Sequence, residues 1–350
     1  IIDCPGYTNF LWDTRASLRA VDAGVVVVCA VAGVEVGTEK GWEMLEDLQL
    51  PRIIVINKLD RENSDYERTL ESIHQFFGRK AIPVQIPIGT EKDFIGIVDL
   101  ISRKAFQFEK DESGNFKEID IPSDLREKVN KKVEELTEMI AENDESLMEK
   151  YFENGELTTE EMIEGFKKNV LNREIFPVFV TSALSNIGIQ PLLDGMLNLF
   201  PSPLQRTMVE VEAGEISLSK DAPFSALVFK TLSDPYTGRI SLMRVISGRI
   251  NPDAAVRNTV KEKDEKLSGL FFLQGKEQIP AGQAKIGDIV ATAKLKETST
   301  GDTLCEKGKN ILFPPIKFPE PSISFAIEPK TRADEDKISQ AVHRITEEDP

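Results

Sequence analysis

Three cysteines and two histidines in 350 residues leave little material for metal or thiol chemistry. Cys4, Cys29 and Cys305 are widely scattered, and no pair has the spacing of a metal-binding motif. That usage predicts reduced thiols in a cytosolic protein. Two histidines argue against a His-based metal site. No apolar run approaches the ~20 residues that a bilayer-spanning helix needs, and no signal-peptide pattern is present. Basic residues are also short: 43 Lys and Arg against 59 Asp and Glu give a net charge of −16. This argues against a broad basic face for DNA or other nucleic acid and leaves room for a small RNA-contacting patch. No acid–base pair or nucleophile–His arrangement marks a small-molecule enzyme.

What is present is a soluble, globular composition, 40% hydrophobic and 29% charged, in a chain too long for one ordinary core. Two or three domains are expected. The first two hundred residues alternate short apolar runs with helical patterns, the rhythm of a parallel α/β sheet. "IID" at the start reads as the end of a buried strand. "AGVVVVCAV" (23–31) predicts a strand covered on both faces, and "TEKGWEMLEDLQL" a helix with Thr38 as N-cap. "RIIVIN" (52–57) and "IFPVFVT" (175–181) read as further buried strands, with "IQPLLDGMLNLF" as a helix after the second.

From about 82 to 172 the alternation is lost and charge rises, predicting an inserted α+β subdomain. It holds a hairpin around Asp111 to Asn115, helical spacing of Leu125, Val129, Val133, Leu136 and Ile140, and a capping box at Thr158–Glu161. "FPSPLQ" (200–205) signals a linker. Short alternating strands beyond it predict a β-barrel. "FPPIKFPEP" (313–321) reads as a hinge, "SISFAIEPK" as the start of a strand, and "ADEDKISQAVHRITEEDP" as a helix.

Three short motifs bear on chemistry. In "DCPG", Asp3 at a strand end can hold Mg²⁺ through a water, and Gly6 lets a backbone N–H approach a terminal phosphate. The same residues also make an ordinary turn. In "NKLD", Asp60 can accept both N1–H and N2–H₂ of guanine, Asn57 can bridge the base edge and neighbouring loops, and the Lys58 stem can cover the base face. A capped turn accounts for Asn and Asp equally well. In "TSAL" (181–184), small residues let backbone amides reach the guanine O6, though Ser182 and Ala183 alone carry little information. Their order decides for a guanine-nucleotide site, because open α/β sheets bind ligands at the C-terminal ends of parallel strands.

The residues resemble the translational GTPases, most closely elongation factor G. "AVAGVEVGTEKGWEML", "NKLDR", "FIGIVDLI", "SGRINPD", "KIGDIVA", "GDTLC" and "FPEPSISFAIEPKT" are similar to that family in order across the chain. The resemblance implies a multidomain α/β + β protein. Residues 1–203 would be a P-loop-type G domain carrying the insertion, 204–315 a β-barrel domain II, and 316–350 the start of an α+β domain III. It also implies GTP hydrolysis by water attack on the γ-phosphate, with Mg²⁺ as cofactor, and a cytoplasmic monomer that binds GTP, GDP and the ribosome through rRNA and ribosomal proteins. Its role would be translocation and possibly ribosome recycling. Asp3, Cys4, Pro5 and Gly6 would face Mg²⁺ and the γ-phosphate. Asn57, Lys58 and Asp60 would hold guanine, with Ser182, Ala183 and Leu184 closing over it. "RVISG" (244–248) would fall where the barrel meets the small subunit.

There are two departures. No G-x-x-x-x-G-K-[ST] phosphate loop occurs in the sequence. The family carries that loop, and a Thr-bearing switch, before the Asp-x-x-Gly strand. The resemblance therefore predicts a chain truncated at the third strand of its G domain and again inside domain III. Secondly, Tyr7 stands where elongation factor G has a histidine that positions the attacking water. A phenol is a poor base at neutral pH yet can orient water; it can equally pack against the switch. Tyr7 keeps open an elongation factor G-like, ribosome-binding switch with weak or no turnover, and ribosome-protection or release functions are further options within the superfamily. By themselves, the 350 residues are expected to hydrolyse no GTP and to gain no thermal stability from it. An upward shift of several degrees in a GTP titration would overturn that expectation.

Overall fold

The computed structural model describes residues 1–205, 208–234, 238–318 and 323–348. They divide into two compact units, one of residues 22–200 and one of residues 1–21 with 201–350. The opening residues do not form the expected strand: residues 1–6 carry no regular secondary structure, Ile1 is fully exposed and Ile2 half-buried. A strand is held by its ladder, and among the described residues no strand pairs with these. A 3₁₀ turn, Thr8–Phe10, then leads into α1 (Leu11–Leu18). Asp13 on α1 forms an ion pair with Lys230, whose ammonium lies 5.3 Å from the Trp12 ring centroid. Arg19 donates to the Pro314 carbonyl at 2.9 Å, and burial lowers its guanidinium pKa.

The 22–200 unit begins with β1 (Gly24–Cys29), α2 (Val36–Asp47), β2 (Arg52–Asn57), α3 (Tyr66–Phe77) and β3 (Ala81–Pro83). Four strands follow: β4 (Gln85–Ile88), β5 (Gly96–Asp99), β6 (Lys104–Phe108) and β7 (Phe116–Ile119). Then come α4 (Arg126–Glu142), α5 (Glu145–Asn154), α6 (Thr159–Leu171), β8 (Phe176–Val180) and α7 (Ile189–Leu199). The main sheet has the order β1-β2-β8-β3 and is parallel throughout, as the alternating pattern predicts. β1 corrects one expectation. It lies at the sheet edge, and Val25 (37% exposed) and Val27 (57%) leave one of its faces uncovered. A β-branched run reports strand propensity, and its burial depends on what packs against it. α2 corrects another, because it starts at Val36 with Glu35 as N-cap. Thr38 is the third helical residue and accepts a hydrogen bond from the Glu35 backbone N–H at 3.3 Å.

β2 is anchored at its first residue. The Arg52 side chain is fully buried, and its guanidinium lies 4.5 Å from the Trp42 ring centroid and 5.0 Å from that of Phe176. Its nitrogens donate to Leu50 O (3.2 Å), Trp42 O (3.3 Å) and the Glu46 carboxylate (2.6 Å). Burial pulls its pKa down, and Glu46 opposes the shift. One planar cation thus ties α2 to β2 and β8, a geometry that suits Arg and not Lys.

β4 to β7 form an antiparallel sheet, and the predicted hairpin joins β6 and β7. Val84 is the pivot between the two sheets: its N–H donates to Val178 O and its carbonyl accepts from Leu100 N, both at 3.0 Å. Ile53 and Val55 of the main sheet share one buried cluster with Ile86, Val98, Val133, Leu136, Ile140 and Phe166 of the insertion. The insertion's core is therefore continuous with that of the main sheet. The Thr158–Glu161 capping box forms as predicted, and hydrogen bonds from Lys150 and Thr158 hold the Glu161 carboxyl down at about 2. α5 is a helix that the sequence reading did not separate from its neighbours.

In the other unit, β9 (Met208–Val211) pairs with β10 (Gly214–Ser217). β11 (Ser225–Asp234), β12 (Gly238–Ser247), β13 (Arg249–Ile250), β14 (Ala255–Asn258), β15 (Lys263–Lys266) and β16 (Phe271–Gln274) follow. β17 (Glu277–Pro280), β18 (Ala284–Lys285), β19 (Ile289–Ala293) and β20 (Thr303–Glu306) complete the strands. Eight form one antiparallel sheet in the order β15-β14-β20-β11-β12-β19-β16-β17. Val256 of β14 and Phe272 of β16, far apart in that order, meet one core, so the sheet curls on itself as a barrel does. The hinge at 313–321 lies partly outside the described residues. No strand forms among the described residues 323–330, where Ile323, Phe325 and Ile327 alternate but all remain exposed. Alternation makes a strand only when a partner supplies its ladder. α8 (Glu335–Glu348) supplies the expected final helix.

Arg52→Met is expected to lower the stability of the 22–200 unit by about 1–3 kcal/mol, because two backbone carbonyls lose a donor in the interior. Arg52→Lys should recover less than half of that loss. Urea unfolding followed by Trp42 fluorescence in a Trp12→Phe background measures both.

Candidate functional site

β2 and β8 are parallel neighbours with Ile56 opposite Val180, so the segments after them leave the same rim of the sheet. "NKLD" follows β2 and "TSAL" follows β8, and the structure brings these two motifs together. The backbone joins them twice: Thr181 N donates to Ile56 O at 2.8 Å and Leu59 N to Thr181 O at 3.4 Å. The Asn57 side chain completes the junction. Its Oδ1 accepts from Lys58 N (2.8 Å), Ala183 N (3.0 Å) and the Thr181 hydroxyl (3.2 Å). Lys58 adopts the left-handed conformation (φ 68°), which redirects the chain immediately after Asn57.

Both loops are braced locally. Ser64 donates its hydroxyl to Leu59 O at 2.8 Å, and Asp65 N donates to Ala30 O at 3.0 Å. Asp65 caps α3 by accepting from Arg68 N, and the Arg68 guanidinium reaches Val31 O at 2.9 Å. The C-terminal end of β8 is held from the insertion: Val180 N donates to the buried Gln85 side chain at 3.2 Å. Tyr66 donates to Gln85 O at 3.4 Å, and burial pushes its phenol pKa far up, so it remains a donor.

Ser182 is fully buried, bridged to Ile187 by reciprocal 3.0 Å backbone bonds, and its hydroxyl accepts from Ser185 N at 3.1 Å. Its side chain shapes the loop from within. Ala183 N is engaged by Asn57, whereas Leu184 N has no partner among the described residues and Leu184 is 72% exposed. The amide open to an incoming acceptor is therefore that of Leu184. Asp60 is half-buried, and among the described residues its carboxylate has no hydrogen-bond or ion-pair partner. The rim thus offers an open carboxylate and an open backbone amide, the complement of a base edge with adjacent donors and a carbonyl. Sequence reasoning missed the Thr181 hydroxyl, Ser64 and Gln85 as supports. Each is an ordinary strand or loop residue; the partners of Thr181 and Gln85 lie far away in sequence, and Ser64 reaches back five residues within its own loop.

Asp3, Cys4, Pro5, Gly6 and Tyr7 belong to the other compact unit. Tyr7 is 77% exposed, and its carbonyl accepts from Phe10 N at 2.9 Å at the start of the 3₁₀ turn. Among the described residues no three His, Cys, Asp or Glu side chains cluster as a metal site. Mg²⁺ is ordinarily held by one or two carboxylates with waters and substrate phosphates. Asp3 is an exposed carboxylate without a partner among the described residues, so it fits as one such oxygen donor.

Comparison with known families matches residues 1–202 to the elongation factor Tu GTP binding domain. Residues 223–307 match elongation factor G domain 2, and residues 318–350 match elongation factor G domain III. A crystal structure of a protein from Thermus thermophilus is similar over 99% of this chain, with 32% sequence identity and a TM-score of 0.86. The chain spans 50% of that protein's length. With matches to three successive domains in order, the chain belongs to the translational GTPases of the elongation factor G type.

Proposed function

We propose that this chain recognises guanine at the rim where β2 and β8 end, and that it serves a GTP-driven translation elongation factor acting in ribosomal translocation. The observation that carries the reading is the Asn57 carboxamide, bonded at once to its own turn and to Thr181 and Ala183. It fixes the two loops in one arrangement before any ligand arrives. Asp60 would accept the guanine N1–H and N2–H₂, the Leu184 amide would face O6, and the Lys58 stem would cover the base. Asp3 would hold Mg²⁺, which supplies charge neutralisation at the phosphates when bound. The Gly6 amide would meet the γ-phosphate, and Tyr7 would orient the attacking water. Phosphate cradling requires a loop that these 350 residues do not contain, so hydrolysis is assigned to a complete protein in which this chain joins one. Its partners are GTP, GDP and the ribosome, its compartment the cytoplasm, and its state a monomer. Among the described residues no helix is long and apolar enough to cross a membrane.

A second reading, a ribosome-bound switch with little turnover, is favoured by Tyr7 alone. Ribosome-stimulated phosphate release by the complete protein separates the two. A translocase releases phosphate and moves tRNA; a switch pellets with ribosomes and releases little. Tyr7→His is expected to raise stimulated release by about tenfold or more, the scale of a positioned acid–base group. An unchanged rate would remove Tyr7 from the chemistry.

Asp60→Asn tests base recognition. The amide loses one acceptor and presents a donor, which suits the C2 carbonyl of xanthine. Affinity for GTP should fall about 10- to 100-fold while xanthosine triphosphate gains. Unaltered base preference in a binding titration would refute the assignment of Asp60.

A further inference from the structure

The turn between β6 and β7 is exposed except at one residue, Gly114, which is buried. That glycine lies against the far side of the loop following β8. A Cβ on Gly114 would come within 2.2 Å of Gln190 Nε2 and 2.6 Å of Asn186 Nδ2, and its φ of +75° suits glycine. Two residues earlier in the turn, Glu112 O accepts a hydrogen bond from Asn186 Nδ2 at 3.2 Å. The turn is itself ordered: Asp111 accepts from Ser113 N at 3.0 Å, and Asn115 N donates to the Ser113 hydroxyl at 3.1 Å. On the loop side, Asn186 holds the left-handed conformation (φ 53°), and the buried Gln190 Oε1 has no partner among the described residues. The Gln190 amide is thus held by packing against the turn and not by hydrogen bonds through its oxygen. Asn186 stands three residues after Ala183, beside the reciprocal Ser182–Ile187 bridge that closes this loop.

We propose that the tip of the inserted hairpin, through Glu112 and Gly114, latches the base-recognition loop at Asn186 and the first turn of α7 at Gln190, so that the insertion sets how fast a guanine nucleotide leaves. The proposal rests on the assignment of residues 181–184 to guanine. The insertion grips this loop at two points. Gln85 holds its entry at Val180, and the hairpin tip holds its return at Asn186. The shared core makes the insertion a firm support for both. A force or partner that lifts the hairpin would free the return of the loop first. The open amide of Leu184 would then lose its fixed position, while Asp60, on the other loop, would keep its place. Asn186 and Gly114 are positioning residues in this account.

The test uses the complete protein and methylanthraniloyl-labelled GDP and IDP. Asn186→Asp keeps a residue that tolerates the left-handed conformation but sets an acceptor against Glu112 O. A second variant replaces residues 111–115 by Asn-Gly, removing the tip and leaving the loop's own sequence intact. Both are expected to speed GDP release about three- to tenfold, the scale of one lost hydrogen bond. IDP release should rise by the same factor, because the two bases share the 6-carbonyl and differ only at the amine facing Asp60. Hydrogen exchange at 182–187 should rise in parallel. Bound GDP released at the unmodified rate by both variants, even with a lowered thermal midpoint, overturns the latch alone. If the unmodified protein binds no labelled GDP, the guanine assignment itself falls and the latch with it.

Discussion

The architecture of the site depends on one oxygen atom. Asn57 Oδ1 accepts hydrogen bonds from Lys58 N, Ala183 N and the Thr181 hydroxyl, and so joins the ends of two adjacent parallel strands. A carbonyl has two lone pairs, and three donors within 3.2 Å saturate it. The consequence is that the Ala183 amide and the Thr181 hydroxyl are spent on the protein, whereas the Asp60 carboxylate and the Leu184 amide have no partner among the described residues. On the proposed reading, specificity for a base follows from what the junction leaves unpaired. An equivalent turn without this oxygen would have to order both loops at the moment of binding and would lose affinity to that cost.

Support for the junction comes from two directions. At the N-terminal end of β2, the buried Arg52 ties Trp42, Glu46 and Leu50 to the strand that ends in Asn57. At the C-terminal end of β8, Gln85 takes the Val180 amide. Val84 bonds to both sheets, and the insertion's helices share the main core, so the inserted residues act as part of the scaffold. Burial of α4 and α6 against the same cluster explains why an acidic, helix-rich stretch of unlike composition remains fixed to its host.

The legibility of these features from sequence varied with their range. Local signals were faithful: the hairpin at 111–115, the Thr158–Glu161 box and the helical spacing of Val129, Val133, Leu136 and Ile140 each need only neighbouring residues. The failures were statements about partners. "IID" and residues 323–329 carry strand-like sequences without a strand beside them, and Val25 and Val27 are apolar without a covering layer. Thr38 was read as a cap because Thr caps often, whereas Glu35 takes that position and Thr38 answers it from within the helix. Ser182 was read as closing over the base through backbone amides, a reading that says nothing of its side chain, which is buried and shapes the loop.

The sequence by itself determined the parallel α/β order, the curled β-sheet that follows it and the residue types able to read a guanine edge, because propensity, periodicity and chemical identity are local properties. The tertiary structure decided which of those groups are still free. Ala183 N and Asn57 Oδ1 are consumed by each other, while Asp60 and the Leu184 amide stay open; only the pairing of distant strands fixes that outcome. The same holds for Gly114: its left-handed turn was written locally, but its burial against Asn186 and Gln190 exists only once the insertion folds back onto the sheet.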